Sequence, residues 1–103
     1  MCAIAGIVGN KISLIKKMSS TMKHRGPDDE KIIIDYKKKV ALSMLRLSIL
    51  DLKSKGLCLY EENEFTLSYN GEIYNYKELK AKLISKGFKF RTTCDTELFL
   101  KAF

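Results

Sequence analysis

A single histidine, His24, and a single proline, Pro27, serve all 103 residues of the chain. With one imidazole available, any Cys–His catalytic pair would have to use His24, and a zinc site has few nitrogen ligands to draw on. Cysteine is scarce as well. Cys2, Cys58 and Cys94 form an odd set at wide spacing with no C-x-x-C pair, which argues against a disulfide framework and against a bound metal. Arginine is confined to Arg25, Arg46 and Arg91, so 16 of the 19 basic residues are lysines. Nucleic-acid readers rely on arginine forks and interleaved aromatics. Here the net charge of +7 is spread over lysines such as Lys16-Lys17 and Lys37-Lys38-Lys39, a pattern that a solvated surface explains better than a nucleic-acid interface. No apolar run is long enough to span a bilayer. No basic residue precedes the short apolar stretch at the start, so it does not read as a secretory signal. Cytoplasm is the default location, with neither nucleic acid nor membrane as partner.

What remains is a globular composition, 46% hydrophobic, with room for at most one domain. Residues 3–8 read as a short buried strand, with Gly6 and Gly9 permitting close backbone approach. Ile12, Ile15, Met18 and Met22 recur at helical spacing, with Ser13 placed to cap the helix. Gly26-Pro27-Asp28 is a turn signal that ends it. Segments 31–36 and 40–47 read as two strands joined at the lysine cluster, a hairpin. Residues 50–60 look irregular, and 65–69 form a further strand ended by Asn70-Gly71. Asn75 with Glu78 resembles a capping box opening a helix through Lys86, with Gly87 at its C′ position and Leu79, Leu83 and Ile84 as its buried stripe. Residues 88–92 read as a strand. Asp95 then stands at the mouth of a helix over 96–103 that uses Leu98, Phe99, Ala102 and Phe103. The mixture is α+β. The last helix meets no stop signal, so the sequence reads as cut within an element, a partial domain. Strand edges left unpaired in such a piece invite association, a homodimer included.

Cys2 is the most informative residue. Removal of Met1, which aminopeptidases favour before a small side chain, leaves a cysteine with a free α-amine. One residue then carries a sulfur nucleophile and a nitrogen base, two kinds of group that ordinarily titrate near neutral pH. The amine can take the thiol proton and later return it to a leaving group. Read alone, Cys2 is also simply the first residue of an apolar strand.

Five segments in order give the chain a family likeness: Met1-Cys2-Ala3-Ile4-Ala5-Gly6, His24-Arg25-Gly26-Pro27-Asp28, Arg46-Leu47-Ser48-Ile49-Leu50-Asp51-Leu52, Tyr69-Asn70-Gly71-Glu72-Ile73-Tyr74-Asn75 and Cys94-Asp95-Thr96-Glu97. Together they resemble the glutaminase half of class II glutamine amidotransferases, which are N-terminal-nucleophile hydrolases. The second and third look most like the asparagine-synthetase branch. The resemblance covers essentially the whole chain and implies the first part of an αββα sandwich, with L-glutamine as substrate.

The likeness also implies roles. Cys2 would attack the glutamine side-chain amide and pass through a γ-glutamyl thioester, with its own α-amine as base. Asn70 and Gly71 match the oxyanion-hole donors, although Asn-Gly is equally a short hairpin signal. Arg46 matches the grip on the substrate α-carboxylate, a task suited to a two-pronged guanidinium. Asp95 matches the acceptor for the α-ammonium, and is equally a helix N-cap by position. Ile49, Leu50 and Glu72 complete the implied amino-acid pocket, and Arg25 belongs to a glycine-hinged loop with an ordering role. No cofactor or metal is implied for this segment. ATP and Mg²⁺ belong to a synthetase domain that this sequence does not contain.

The chain departs from the pattern at Met44, where many relatives carry histidine and where methionine suggests packing. Smaller departures are Ala3, Ala5 and Cys94. Two other readings stay open: an amidotransferase of the same type feeding a different acceptor, and a non-catalytic truncated fragment.

Overall fold

Alternating side chains build the first sheet. The computed structural model describes residues 2–47 and 59–103, which divide into two compact units, residues 1–50 and 51–103. In the first unit β1 (Ala3–Val8), β2 (Asp29–Asp35) and β3 (Val40–Arg46) form an antiparallel sheet of order β1-β3-β2. Ala3, Ala5 and Ile7 lie opposite Leu45, Ser43 and Ala41, and Glu30, Ile32 and Ile34 flank the same three residues from the other edge. Cross-strand partners share a face. That face is covered by a 3₁₀ turn (Ile12–Leu14) leading into α1 (Ile15–Thr21). Ile12, Ile15 and Ala41 form the core, with Ala5, Ile7, Ile32 and Ile34 packed around them. Complete burial of a side chain such as Ile15 contributes about 1.5–3 kcal/mol.

The helix forms where the spacing predicts, with Ile12 and Ile15 buried, but its stripe differs further along. Met18 is 39% exposed, and Ser19, one turn after Ile15, is fully buried in its stead. Serine is tolerated there because the Ser43 hydroxyl donates to Ser19 Oγ at 2.9 Å and Ser19 in turn donates to Glu30 Oε1. A buried hydroxyl with partners carries little penalty. Ser13 lies inside the 3₁₀ turn and caps nothing. The hairpin between β2 and β3 forms as the sequence implies. Asp35 Oδ1 accepts the Lys38 N–H at 2.8 Å, and Lys39 takes φ 55°, a turn closed by an aspartate side chain.

In the second unit β4 (Leu59–Glu62) and β5 (Phe65–Ser68) pair antiparallel across a two-residue turn, with Asn63 at φ 55°. β4 starts at Leu59, inside the stretch that looks irregular from sequence; the remainder of that stretch, through residue 58, lies outside the described residues. α2 (Tyr76–Ser85) ends as expected. Gly87, at φ 93°, donates to Ile84 O at 2.9 Å, and Phe88 donates to Leu83 O at 3.1 Å, the paired bonds of a Schellman cap. Its start differs, since the Asn75 side chain makes no capping bond and Glu78 pairs with Lys82 at 2.7 Å. Its stripe is shallow too. Leu79 and Leu83 are half-buried and Ile84 is exposed.

α3 (Asp95–Ala102) buries Thr96, Glu97 and Leu98, and contacts α2, β4 and β5. Residues 88–92 precede it and are not a strand. Their amides have a different acceptor. The Glu97 carboxylate receives the Arg91 N–H at 2.8 Å, the Thr92 N–H and hydroxyl at 2.6 Å each, and the Tyr60 hydroxyl at 3.2 Å. Lys101 Nζ lies 3.8 Å from the same carboxylate and bonds both oxygens of Glu62 at 2.8 and 2.9 Å. Burial alone would raise the carboxyl's pKa, but the bonds from Thr92, the Arg91 amide and Tyr60 together outweigh it and hold it below the ordinary range. Burial, reinforced by the charge of Glu97, pushes the Tyr60 hydroxyl up.

Two stability predictions follow from these contacts. A group whose pKa is depressed by folding stabilises the fold above its unfolded pKa, and that contribution disappears as pH falls through the folded value. The denaturation midpoint should therefore hold steady near neutrality and decline from about pH 4.5 downward, the ordinary glutamate range; Glu97→Gln should flatten much of that acid limb, read by urea titration at several pH values. Gly26 is buried, and a Cβ there would meet the backbone of Leu45 and Arg46, its nitrogen at 2.5 Å. Gly26→Ala should cost about 1–3 kcal/mol in urea denaturation, because backbone cannot move aside as a flexible side chain can.

Candidate functional site

In the first unit the implied residues gather at one end of β3. Cys2 is half-buried and lies immediately before β1. Ala3 pairs with Leu45, so extending the register by one residue brings Cys2 alongside Arg46. By alternation Cys2 and Arg46 both belong to the sheet face turned away from α1, with Ile4, Leu42 and Met44. Met44 is 3% exposed, which agrees with a packing role at that position.

The 24–28 segment reaches the same strand end from the opposite edge. Gly26 sits against the Leu45–Arg46 peptide, Pro27 bridges to Arg46, and the Asp28 N–H donates to Arg46 O at 3.1 Å. Arg25 is tied back by its own N–H to Met22 O at 2.9 Å. Glycine is required at 26 because the loop approaches β3 backbone to backbone. Arg46 is thus flanked by Cys2 on one side and by this loop on the other. His24 is exposed.

In the second unit Asn70 and Gly71 follow β5, are exposed, and lead toward α2. They do not join two strands, so the hairpin reading of Asn-Gly is overturned. A Cβ on Gly71 would lie 2.6 Å from Tyr69 Oη and 2.7 Å from Cζ. The Tyr69 ring stacks on Phe99 of α3, centroids 5.4 Å apart and planes 22° apart. A side chain there would have to displace the Tyr69 ring, and no positive φ is involved.

Asp95 opens α3, but it is not the N-cap. Cys94 holds that place and makes no side-chain capping bond. Asp95 Oδ2 instead accepts the Ile73 N–H at 2.7 Å. This bond docks the 72–78 run on the helix start, and a cavity of about 620 Å³ is lined by that run and Asp95. Glu72 borders the cavity and is exposed. Ile49 and Leu50 lie outside the described residues.

Sequence reasoning passes over Glu97. A charged residue between Thr96 and Leu98 on a short helix looks like one facing solvent, and only its burial and four donors reveal its place. Among the described residues no cluster of three or more histidine, cysteine, aspartate or glutamate side chains offers a metal site. Among them, too, no helix is long and apolar enough to cross a membrane.

Comparison with known proteins agrees with the likeness drawn from the motifs. The chain is 37% identical, over its whole length, to "Asparagine synthetase [glutamine-hydrolyzing] 1" of Bacillus subtilis, of which it spans 17%. It is 39% identical, again over its whole length, to "Putative asparagine synthetase [glutamine-hydrolyzing] 2" of Methanocaldococcus jannaschii, spanning 24% of it. Against "Asparagine synthetase B [glutamine-hydrolyzing]" of Escherichia coli, identity is 36% over 97% of the chain and 19% of that protein. The chain therefore corresponds to less than a quarter of the length of these relatives. The sequence profile of the glutamine amidotransferase domain matches residues 1–103, and the chain belongs to that family.

Proposed function

We propose that this chain is the glutaminase part of an asparagine synthetase, releasing ammonia from L-glutamine at Cys2. The observation that supports this reading best is the pairing of β1 with β3, whose register, extended by one residue, sets Cys2 alongside Arg46. The family match and the names of the relatives support it.

The chemistry runs as follows. With Met1 removed, the Cys2 α-amine takes the thiol proton and Sγ forms a bond to the glutamine amide carbon. The carbonyl electron pair moves onto oxygen. The Asn70 side-chain amide and the Gly71 N–H donate to that oxyanion, an effect typically of about 2.7–4 kcal/mol per donor. The amine returns its proton to the amide nitrogen, the C–N bond breaks, and ammonia leaves a γ-glutamyl thioester. Water, deprotonated by the same amine, attacks the thioester carbon; the thiol is regenerated and glutamate departs. Arg46 holds the substrate α-carboxylate, Asp95 takes the α-ammonium, and Ile49, Leu50 and Glu72 complete the pocket.

The α-amine base explains how one histidine suffices. The chain takes the place of the first part of an αββα glutaminase domain in a cytoplasmic enzyme. In that enzyme a synthetase domain would use ATP and Mg²⁺ to activate aspartate as ammonia acceptor. That the relatives are named asparagine synthetases favours aspartate over another carboxylate.

Glutamate release by the Met1-processed chain tests the reading. Cys2→Ala should abolish it, His24→Ala should leave it within about twofold, and Asn70→Ala should lower kcat by about 10²–10³. Equal losses at Cys2 and His24 would replace the amine mechanism with a Cys–His pair. A glutamine analogue carrying an electrophile at the amide position should add once, at Cys2, by mass spectrometry. Retention of Met1 should block both turnover and labelling.

A further inference from the structure

The buried carboxylate of Glu97 has no part in the proposed chemistry, yet it organises the residues around Asp95. We infer that Glu97 is a positioning residue that holds the start of α3 so that Asp95 keeps one oxygen on the Ile73 amide and offers the other to the substrate α-ammonium. The inference rests on the proposed glutaminase reading and assigns a role to a residue outside it.

The geometry carries the argument. Glu97 lies two residues after Asp95, on the first turn of α3, fully buried. Its Oε2 takes the Thr92 N–H and hydroxyl, and its Oε1 takes the Arg91 N–H and the Tyr60 hydroxyl. One carboxylate thereby ties the loop entering the helix and strand β4 to the helix itself. The Thr92 hydroxyl also receives the Cys94 N–H at 3.3 Å, so the fixation extends to the residue immediately before Asp95. Asp95 Oδ2 is committed to Ile73 at 2.7 Å. That bond fixes the rotation of the carboxylate and selects Oδ1 as the atom left for a cationic ligand at the cavity. Loosening the 91–94 turn would let the start of α3 shift, and an ammonium acceptor loses strength steeply with misplacement.

Glutamine differs from 4-carbamoylbutanoate only by the α-ammonium, so the pair isolates the interaction at Asp95. Binding of both is measured by calorimetry on the processed chain carrying Cys2→Ala, alongside Ile73 amide hydrogen exchange. Adding Glu97→Gln should weaken glutamine about tenfold while the desamino ligand changes by less than about twofold. It should also speed Ile73 exchange, and it should add nothing further in an Asp95→Asn background, the signature of two residues acting through one contact. Should Glu97→Gln fail to fold, Thr92→Val and Tyr60→Phe each remove one donor and should shift glutamine binding the same way by about two- to threefold. Equal weakening of both ligands, or unchanged binding and exchange in the folded variants, overturns the inference and leaves the glutaminase reading standing. A chain with Glu97 intact that binds both ligands equally removes the ammonium role from Asp95 and overturns the inference through that reading.

Discussion

A backbone N–H withdrawn from water must find an acceptor, and this requirement shapes the segments that carry the candidate site residues. The loops that flank them, residues 24–28, 70–75 and 88–94, are neither helix nor β-ladder, so they do not supply their own partners. Arg46 O takes the Asp28 amide, Asp95 takes the Ile73 amide, and Glu97 takes those of Arg91 and Thr92. Each acceptor is on a regular element, so each loop inherits the rigidity of β3 or α3. The same bonds explain why the motifs are spaced as they are. His24-Arg25-Gly26-Pro27-Asp28 is a loop docked on Arg46, and Asn70 through Asn75 is a run anchored on the Asp95 helix.

The charged pair beneath α3 follows the same logic with higher stakes. A buried carboxylate stripped of partners would cost several kcal/mol, so Glu97 is tolerable only with its full set of donors. Lys101 is 7% exposed on its side chain and is shared between Glu62 and Glu97. Its ammonium also lies 5.7 Å from the Phe90 ring, and Lys80 sits 5.0 Å from that ring. Hydrophobic burial alone would favour apolar residues at 97 and 101. Retaining ionised groups trades some stability for a defined geometry at the mouth of α3, where an apolar contact would slide.

How much of this could be read from sequence depended on whether the deciding partner was local. β1, the β2–β3 hairpin and the Gly87 cap rest on alternation, an aspartate turn and a left-handed residue, all visible within a few positions. Residues 88–92 carry a strand-like composition, but strand formation needs a neighbouring strand, and Glu97 supplied the acceptors instead. Ser19 displaced a methionine from the core because Ser43, 24 residues away, completes its hydrogen bonding. β4 hides because a four-residue strand shows little periodicity. The N-cap alternative for Asp95 failed for a similar reason, since Ile73, 22 residues distant, claims the carboxylate. Family motifs pointed to Cys2, Arg46 and Asp95 as candidate site residues. The last of those motifs includes Glu97 but gives it no role, which its burial and donors alone make visible.

A residue near a chain end poses a physical difficulty for any site built on it, because chain ends fray. β1 meets it by pairing all six of its residues with the central strand, beginning at Ala3, directly after Cys2. Cys2 therefore stands one residue beyond the last ladder pair, held close to the sheet by its neighbour. The partner strand ends on Arg46 and is braced there by Gly26, Pro27 and Asp28 from its far edge. Bracing β3 therefore also steadies the end of β1. Loosening the Gly26 contact would reach Cys2 through the ladder.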